Sequence, residues 1–406
     1  MFLHAARQPI LNSRQELCAY ELLFRDSTDN LFPEVDGDAA TSKLVAASQF
    51  EYSLPQLTAG KTAHINFNLK SMLKRYPSMI PADQVVIEIV DIEKPGKRLL
   101  EECRLLHEAG YKMLLDDYVH QKVWLHFFPY ISMLKIDMLK ASVLDIRQMV
   151  KIKERFPHIQ LVAGKIETRD AFEMVKEAGF DLFQGYFFAE PQQIQEKTVQ
   201  ASDYSLAELL FEISNKDMDL QKIVSTFQSD VNLSYKLLRY SNSAVFKREV
   251  EVSSIKQAIV SLGKEELIKF VTILFAAQSN GDKPSELLSM SLLRAKFCEE
   301  LASVRGGLPS PDVAFLSGMF SLLDVMLDEP MQELVEKLKL STEVAAALLR
   351  GEGDLASLIS VSKSYEEADW ALLERSGGEL LLSDDEMAQS YQRALAWTDE
   401  QMSFIA

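Results

Sequence analysis

The chain has 406 residues, 47% hydrophobic and 25% charged, enough for two soluble globular domains that each bury a core. Its net charge of −17 is uneven: residues 1–200 carry 24 Lys+Arg against 27 Asp+Glu, net −3, while residues 201–406 carry 19 against 33, net −14. That balance argues against a nucleic-acid module, and no apolar run approaches the roughly 18 residues of a membrane span.

Met1–Gln8 is too short and too polar for a signal peptide. The three cysteines, Cys18, Cys103 and Cys298, are far apart with core-like flanks. Reduced, buried thiols in a cytoplasmic protein are expected.

In chain order, seven short β-like runs between Cys18 and Gly185 each end on a polar or ionisable residue: Glu21, Asn66, Glu88, Asp116–Asp117, Lys135 with Asp137, Glu167 and Gln184. Runs such as Ala63–Phe67, Val85–Val90, Lys112–Leu115, Ser132–Ile136 and Ile159–Val162 have strand length. Stretches such as Leu99–Ala109 and Ala171–Ala178 between them are helical in pattern. In a TIM-like (βα) barrel the strand ends meet on one face, where ligands bind. His64, Asn66 and Asn68 fall on alternate positions and are expected to face one way. Carboxylates, an amide and a lysine gathered there suit hard divalent ions acting on a phosphate ester.

Residues 192–200 are polar, without β patterning, and read as a linker, giving domains 1–200 and 201–406. Beyond it, Leu206, Leu209, Leu210 and Ile213 follow helical spacing, as do Val231–Leu238, Ile255–Ile259, Leu287–Leu301 and Met331–Leu349. That half is expected to be all-α, without a solenoid repeat. The aromatic residues Trp124, Phe127, Phe128 and Tyr130 are expected in the core, and Ser383 is expected to cap a helix that opens with Asp384, Asp385 and Glu386.

These motifs resemble two known families. Glu21-Leu22-Leu23-Phe24-Arg25 fits the E-x-L-x-R motif of the EAL domain, the family of cyclic di-GMP phosphodiesterases. Ile65-Asn66, Glu88-Ile89, Asp116-Asp117, Lys135-Ile136-Asp137 and Gln184-Gly185-Tyr186 follow it in the family's order. Lys236–Arg239, Asn242-Ser243-Ala244 and Ala258–Gly263 fit the HDOD core pattern. Gly318–Asp324 is similar to the segment where HD hydrolases carry His-Asp. The pair resembles the EAL–HDOD signalling proteins of bacteria. The resemblance implies an EAL-type barrel with Glu21, Asn66, Glu88, Asp116 and Asp117 as ligands to Mg²⁺ or Mn²⁺ if the site is occupied. It also implies Lys135 and Glu167 in catalytic positions, and Arg25 and Gln184 on the ligand.

The chain departs from that pattern. Where the family has A-E-G-V-E-T, this chain has Ala163-Gly164-Lys165-Ile166-Glu167-Thr168, so a catalytic glutamate is replaced by Gly164. D-D-F-G-T-G becomes Asp116-Asp117-Tyr118-Val119-His120-Gln121, in a loop that couples metal binding to dimer formation in the family. Val119 there is poorly suited to positive φ. Glu88-Ile89-Val90-Asp91 shortens a carboxylate expected to brace that loop. All six histidines precede residue 160, so residues 201–406 lack the ligands of an HD hydrolase, and Ser321-Leu322 stands where His-Asp would.

Two functions are therefore carried forward. One is a barrel that has lost efficient catalysis and serves as a cyclic di-GMP-responsive adaptor or scaffold, with output through HDOD contacts to a protein partner. The other is a working cyclic-guanylate-specific phosphodiesterase regulated by HDOD. Neither involves nucleic acid or membrane, and a homodimer is compatible with both.

Overall fold

The structure, a computed structural model, describes residues 4–25, 54–90, 95–189, 206, 209–210, 212–213, 218–229, 231–242, 252, 254–279, 285–307, 309–327, 329–338 and 340–405. The chain forms two compact units. One comprises Met1–Glu190 with Pro284–Glu286 and Lys363–Glu374; the other comprises Pro191–Lys283, Leu287–Ser362 and Arg375–Ala406. The expected linker at 192–200 lies outside the described residues.

The first unit is a closed eight-stranded barrel: β1 (His4–Asn12), β2 (Leu17–Arg25), β3 (Thr62–Phe67), β4 (Val85–Ile89), β5 (Lys112–Leu115), β6 (Met133–Asp137), β7 (Gln160–Gly164) and β8 (Leu182–Gln184). From β2 to β8 the neighbours run parallel. The β1 strand is antiparallel to both β2 and β8, so the barrel departs from pure βα alternation at its seam. A tight turn makes β1 and β2 a hairpin: Asn12 Oδ1 accepts from the Arg14 and Glu16 amides at 2.8 and 3.0 Å, and Gln15 takes a positive φ of 61°.

Between the later strands, amphipathic helices such as Lys97–Glu108, Val143–Arg155 and Arg169–Glu177 turn apolar faces inward, burying Leu99, Cys103 and Leu106, then Ile146, Met149 and Ile152, then Phe172 and Val175. The second of these opens with a capping box on Ser142 and Asp145.

Ile10, Ala19, Val86, Leu114, Met133, Val162 and Leu182, one from each strand but β3, form an apolar layer inside the barrel. Strand side chains alternate between faces. The residue two positions toward the mouth from each layer member therefore also points inward. Those residues are Gln8, Glu21, Glu88, Asp116, Lys135, Gly164 and Gln184. The apolar plug thus carries a polar ring directly above it, and the candidate site is that ring.

Trp124, Phe127 and Phe128 are buried, as expected of core residues, with Trp124 and Phe127 edge to face at 5.0 Å, whereas Tyr130 is only half-buried. Cys103 and Cys298 are buried, but Cys18 is exposed: it precedes the layer residue Ala19, so its side chain points out of the barrel. Asn68 does not join the inward row of His64 and Asn66. The strand ends at Phe67, and Asn68 instead caps the helix Leu69–Leu73 by accepting from Ser71 N–H at 2.9 Å.

The described part of the second half is helical, with Leu206, Leu209, Leu210 and Ile213 all buried. Val231–Ser241 and Ser285–Arg305 match the expected helices. Ile255–Ser279 is interrupted at Gly263, whose φ of 77° only glycine adopts readily. Met331–Leu349, expected as one helical stretch, is two helices, Met331–Lys337 and Thr342–Arg350, because Ser341 caps the second by accepting from Val344 N–H. Ser383 caps its helix as expected, accepting from Glu386 N–H, and the Glu386 carboxylate accepts in turn from Ser383 N–H. No described helix is long and apolar enough to cross a membrane.

Candidate functional site

Lys135 is the hub of the polar ring. Its ammonium donates to Glu21 Oε2 at 2.7 Å and Glu88 Oε2 at 3.0 Å, and lies 3.6 Å from Asp116 Oδ1. Glu21 accepts in addition from Asn66 Nδ2 at 3.2 Å and Gln184 Nε2 at 2.7 Å. His64 Nδ1 donates to Glu88 Oε1 at 2.8 Å, and Gln184 Nε2 also reaches Gln8 Oε1 at 3.0 Å. The structure therefore brings Glu21, Asn66, Glu88, Asp116, Lys135 and Gln184 together in one hydrogen-bonded and ion-paired cluster.

Charges this deep are held by one another. Burial favours neutral Lys135, but Glu21, Glu88 and Asp116 outweigh it and raise its pKa well above the ordinary lysine value. Burial likewise opposes ionised Glu88, yet Lys135 and His64 bring its pKa down to about 2. Asp116 goes the other way. Burial, aided by Glu88 and Glu21, pushes it up to about 7 against the opposing pull of Lys135. The ammonium is hydrogen-bonded to Glu21 and Glu88 and stands farther from Asp116.

Two other expected site residues, Asp117 and Glu167, lie outside this cluster. Asp117 has a left-handed φ of 43°, and its side chain, 57% exposed, turns to Lys140 at 3.5 Å. That φ also shows where the loop makes its sharp turn. Asp117 takes the left-handed conformation, tolerable for Asp, and Val119 does not need it. Glu167 is exposed in the loop after β7. Arg25 ends β2 opposite His4, but its side chain falls outside the described residues, as does Asp91. Lys165 is aimed at Asp137, 2.8 Å away, and Lys140 reaches the same carboxylate oxygen at 3.2 Å. Gly185 of the Gln-Gly-Tyr motif has a φ of 143°, and a Cβ there would meet the Ile166 carbonyl oxygen at 2.1 Å. The loop after β7 packs directly on its backbone.

The donor set does not fit a pair of divalent ions. Asp117 faces away, Gly164 offers no ligand, and the oxygens of Glu21 and Glu88 are already engaged by Lys135, Asn66, Gln184 and His64. Among the described residues no group of three or more His, Cys, Asp or Glu is arranged to hold a metal ion.

Gln8 and His64 belong to this cluster but were not assigned a role there from sequence. His64 was visible in the alternation with Asn66. Gln8 was hidden because Pro9 next to it argues against a strand.

In the helical unit, the Gly318–Asp324 segment is packed tightly. A Cβ on Gly318 would lie 2.5 Å from the Arg294 carbonyl oxygen, and Arg294 Nη1 donates to Ser321 Oγ at 3.0 Å. A buried arginine thus contacts the segment that resembles the His-Asp segment of HD hydrolases. Asn242 ends its helix and clamps Val252, donating to its carbonyl at 2.8 Å and accepting from its amide at 2.7 Å. Ser243 lies outside the described residues.

Such a barrel, with a polar ring at the carboxyl ends of its parallel strands and a helical second domain, is the architecture of an EAL protein joined to HDOD. Residues 62–191 match the EAL domain family and residues 203–349 the HDOD domain family. The cyclic di-GMP phosphodiesterase CdgJ of Vibrio cholerae is 35% identical over 399 residues, 98% of this chain and 92% of its own. YuxH of Bacillus subtilis is 34% identical over 405 residues, 98% of each chain. Among solved structures, the Klebsiella pneumoniae BlrP1 complex with calcium and cyclic di-GMP is 19% identical, with a TM-score of 0.37 over 47% of this chain and 56% of that one.

The chain belongs to the EAL–HDOD family. Glu21 and Arg25 precede the residues matched to EAL, and Glu21 joins the ring through its bonds to Lys135, Asn66 and Gln184.

Proposed function

We propose that this chain is a cyclic di-GMP signalling protein whose barrel binds the nucleotide without hydrolysing it efficiently, and whose helical half passes the signal on by protein contact. The observation that carries the reading is Gly164. In the polar ring it contributes no side chain where the family resemblance implies a catalytic glutamate. Loss of a general acid–base partner costs about 10²–10⁴ in rate. Asp117 facing Lys140, away from Lys135, supports the same conclusion.

Binding needs fewer placements than catalysis, so it can survive. Arg25 would fork onto a phosphate. Gln184 presents a buried carbonyl oxygen that has no hydrogen-bond partner among the described residues, an acceptor for a ligand N–H. For output, the net −14 of residues 201–406 favours a basic surface on the partner. The carboxylate cluster stays out of the assigned chemistry, and Mg²⁺ or Mn²⁺ has no assigned role.

The second reading, an active phosphodiesterase under HDOD control, is favoured by the 35% identity to a Vibrio cholerae enzyme and by the retained Glu21, Asn66, Glu88, Asp116 and Lys135. Cyclic di-GMP hydrolysis with Mg²⁺ or Mn²⁺, measured beside calorimetric binding, separates the two. Binding without turnover supports the first reading, and turnover supports the second.

A further inference from the structure

We propose that Lys135 is the resident counter-cation of the barrel's carboxylate ring, a tethered ammonium holding Glu21, Glu88 and Asp116 together where a divalent ion would otherwise be needed. The inference deepens the reading of a non-hydrolysing barrel and rests on it.

Its basis is steric and electrostatic. Lys135 and Gly164 lie on adjacent strands, β6 and β7, each two positions above a member of the apolar layer. A Cβ at position 164 would lie 3.1 Å from Lys135 Cε and 3.5 Å from its Cγ. The lysine stem therefore packs directly against the backbone of position 164. That path carries the ammonium to 2.7 Å from Glu21 and 3.0 Å from Glu88, with Asp116 at 3.6 Å. The lysine side chain is 9% exposed and that of Glu88 is fully buried. Carboxylates so placed need a cation, because unpaired buried charge is strongly destabilising.

Lys135 supplies that charge covalently, at a position fixed by its strand. The hydrogen bonds from Asn66, Gln184 and His64 take up remaining carboxylate lone pairs, so the ring is cross-linked across β2, β3, β4, β6 and β8. A divalent ion entering the same cluster would have to displace the ammonium into a ring with no polar ligand at 164. Gly164 leaves the cluster one ligand short, so the ammonium of Lys135 carries the charge balance of the ring.

The test uses the full-length chain, stripped with chelator and titrated with Mn²⁺ alone. Uptake is read by calorimetry and by the electron paramagnetic resonance of free Mn²⁺, and stability by thermal melting. The native chain should take up no Mn²⁺ below about 1 mM, and it should melt at the same temperature with Mn²⁺ or chelator. Lys135→Met should bind Mn²⁺ at least about tenfold more tightly. It should also melt roughly 10 °C lower in chelator and recover part of that loss with Mn²⁺. Native Mn²⁺ binding as tight as that of Lys135→Met overturns the proposal.

Should Lys135→Met not fold, the double variant Lys135→Met/Glu21→Gln removes one of the stranded charges and should be the more stable of the two. Equal or lower stability overturns the proposal. Cyclic di-GMP turnover, measured on the same samples, separates the two levels. Native Mn²⁺ uptake without turnover removes the tethered ammonium and leaves the non-hydrolysing reading standing, whereas native turnover removes that reading itself.

Discussion

Replacing Asp116 with asparagine isolates the charge that the barrel holds least well. Burial comes first in pushing its carboxyl from an ordinary 3.8 up to about 7, with Glu88 and Glu21 adding to the shift and Lys135 opposing it. A folded pKa above the unfolded one means that the fold prefers the protonated acid. Stability from that preference is fully present below pH 3.8 and is lost as pH rises through about 7.

The span from 3.8 to about 7 corresponds to a ceiling of roughly 4 kcal/mol. Water penetration and relaxation should reduce the realised figure to about half. Asparagine carries no charge at any pH, so Asp116→Asn should stabilise the barrel by about 2 kcal/mol at pH 8 and by less than about 1 kcal/mol at pH 4. The assay is denaturant unfolding in chelator, with amide exchange of β5 and β6 reading the barrel locally. Glu88, lowered to about 2, loses its contribution as pH falls from about 4.5, but it does so in both proteins and cancels in the difference. A loss of stability at pH 8, or a gain that does not change with pH, would refute the reasoning.

Arg25→Ala should weaken cyclic di-GMP binding at least tenfold by calorimetry, since a charge-assisted hydrogen bond is worth about 1.5–3 kcal/mol; unchanged affinity would place the nucleotide elsewhere. Gly185→Ala should destabilise the barrel by about 3 kcal/mol in denaturant unfolding, because a Cβ there meets the Ile166 backbone. A loss below about 1 kcal/mol would mean that the loop after β7 yields easily. Asn242→Ala should cost the helical unit about 2 kcal/mol by removing both bonds to Val252, measured by the same unfolding experiment.

The site was legible where chemistry and period agree. Glu21, Asn66, Glu88, Asp116, Lys135 and Gln184 end apolar runs, and period two turns them to the same side, so the sequence placed them together and the structure joins them by hydrogen bonds and ion pairs. What sequence could not supply was the behaviour of the backbone after the strands. Asp117 turns out through its own φ of 43°, a choice made by the loop rather than by residue type. The direction of Lys165 was equally open until Asp137 was seen to receive it.

The first strand was missed for another reason. Its run contains His4, Arg7, Gln8 and Pro9, which dilute any β signal. Pro9 is tolerated because β8 pairs with β1 only at Ile10–Asn12, past the proline. In the helical half, Met331–Leu349 kept its periodicity across a break that only the Ser341 cap betrays.

Turnover of cyclic di-GMP by the purified full-length chain, with Mg²⁺ or Mn²⁺ in excess, tests the central claim most directly. A ring with Gly164 at the place of a glutamate and Asp117 turned outward should leave the nucleotide largely intact while still binding it. Hydrolysis within about tenfold of a typical enzyme's roughly 10 s⁻¹ would contradict the account and make this barrel a working phosphodiesterase.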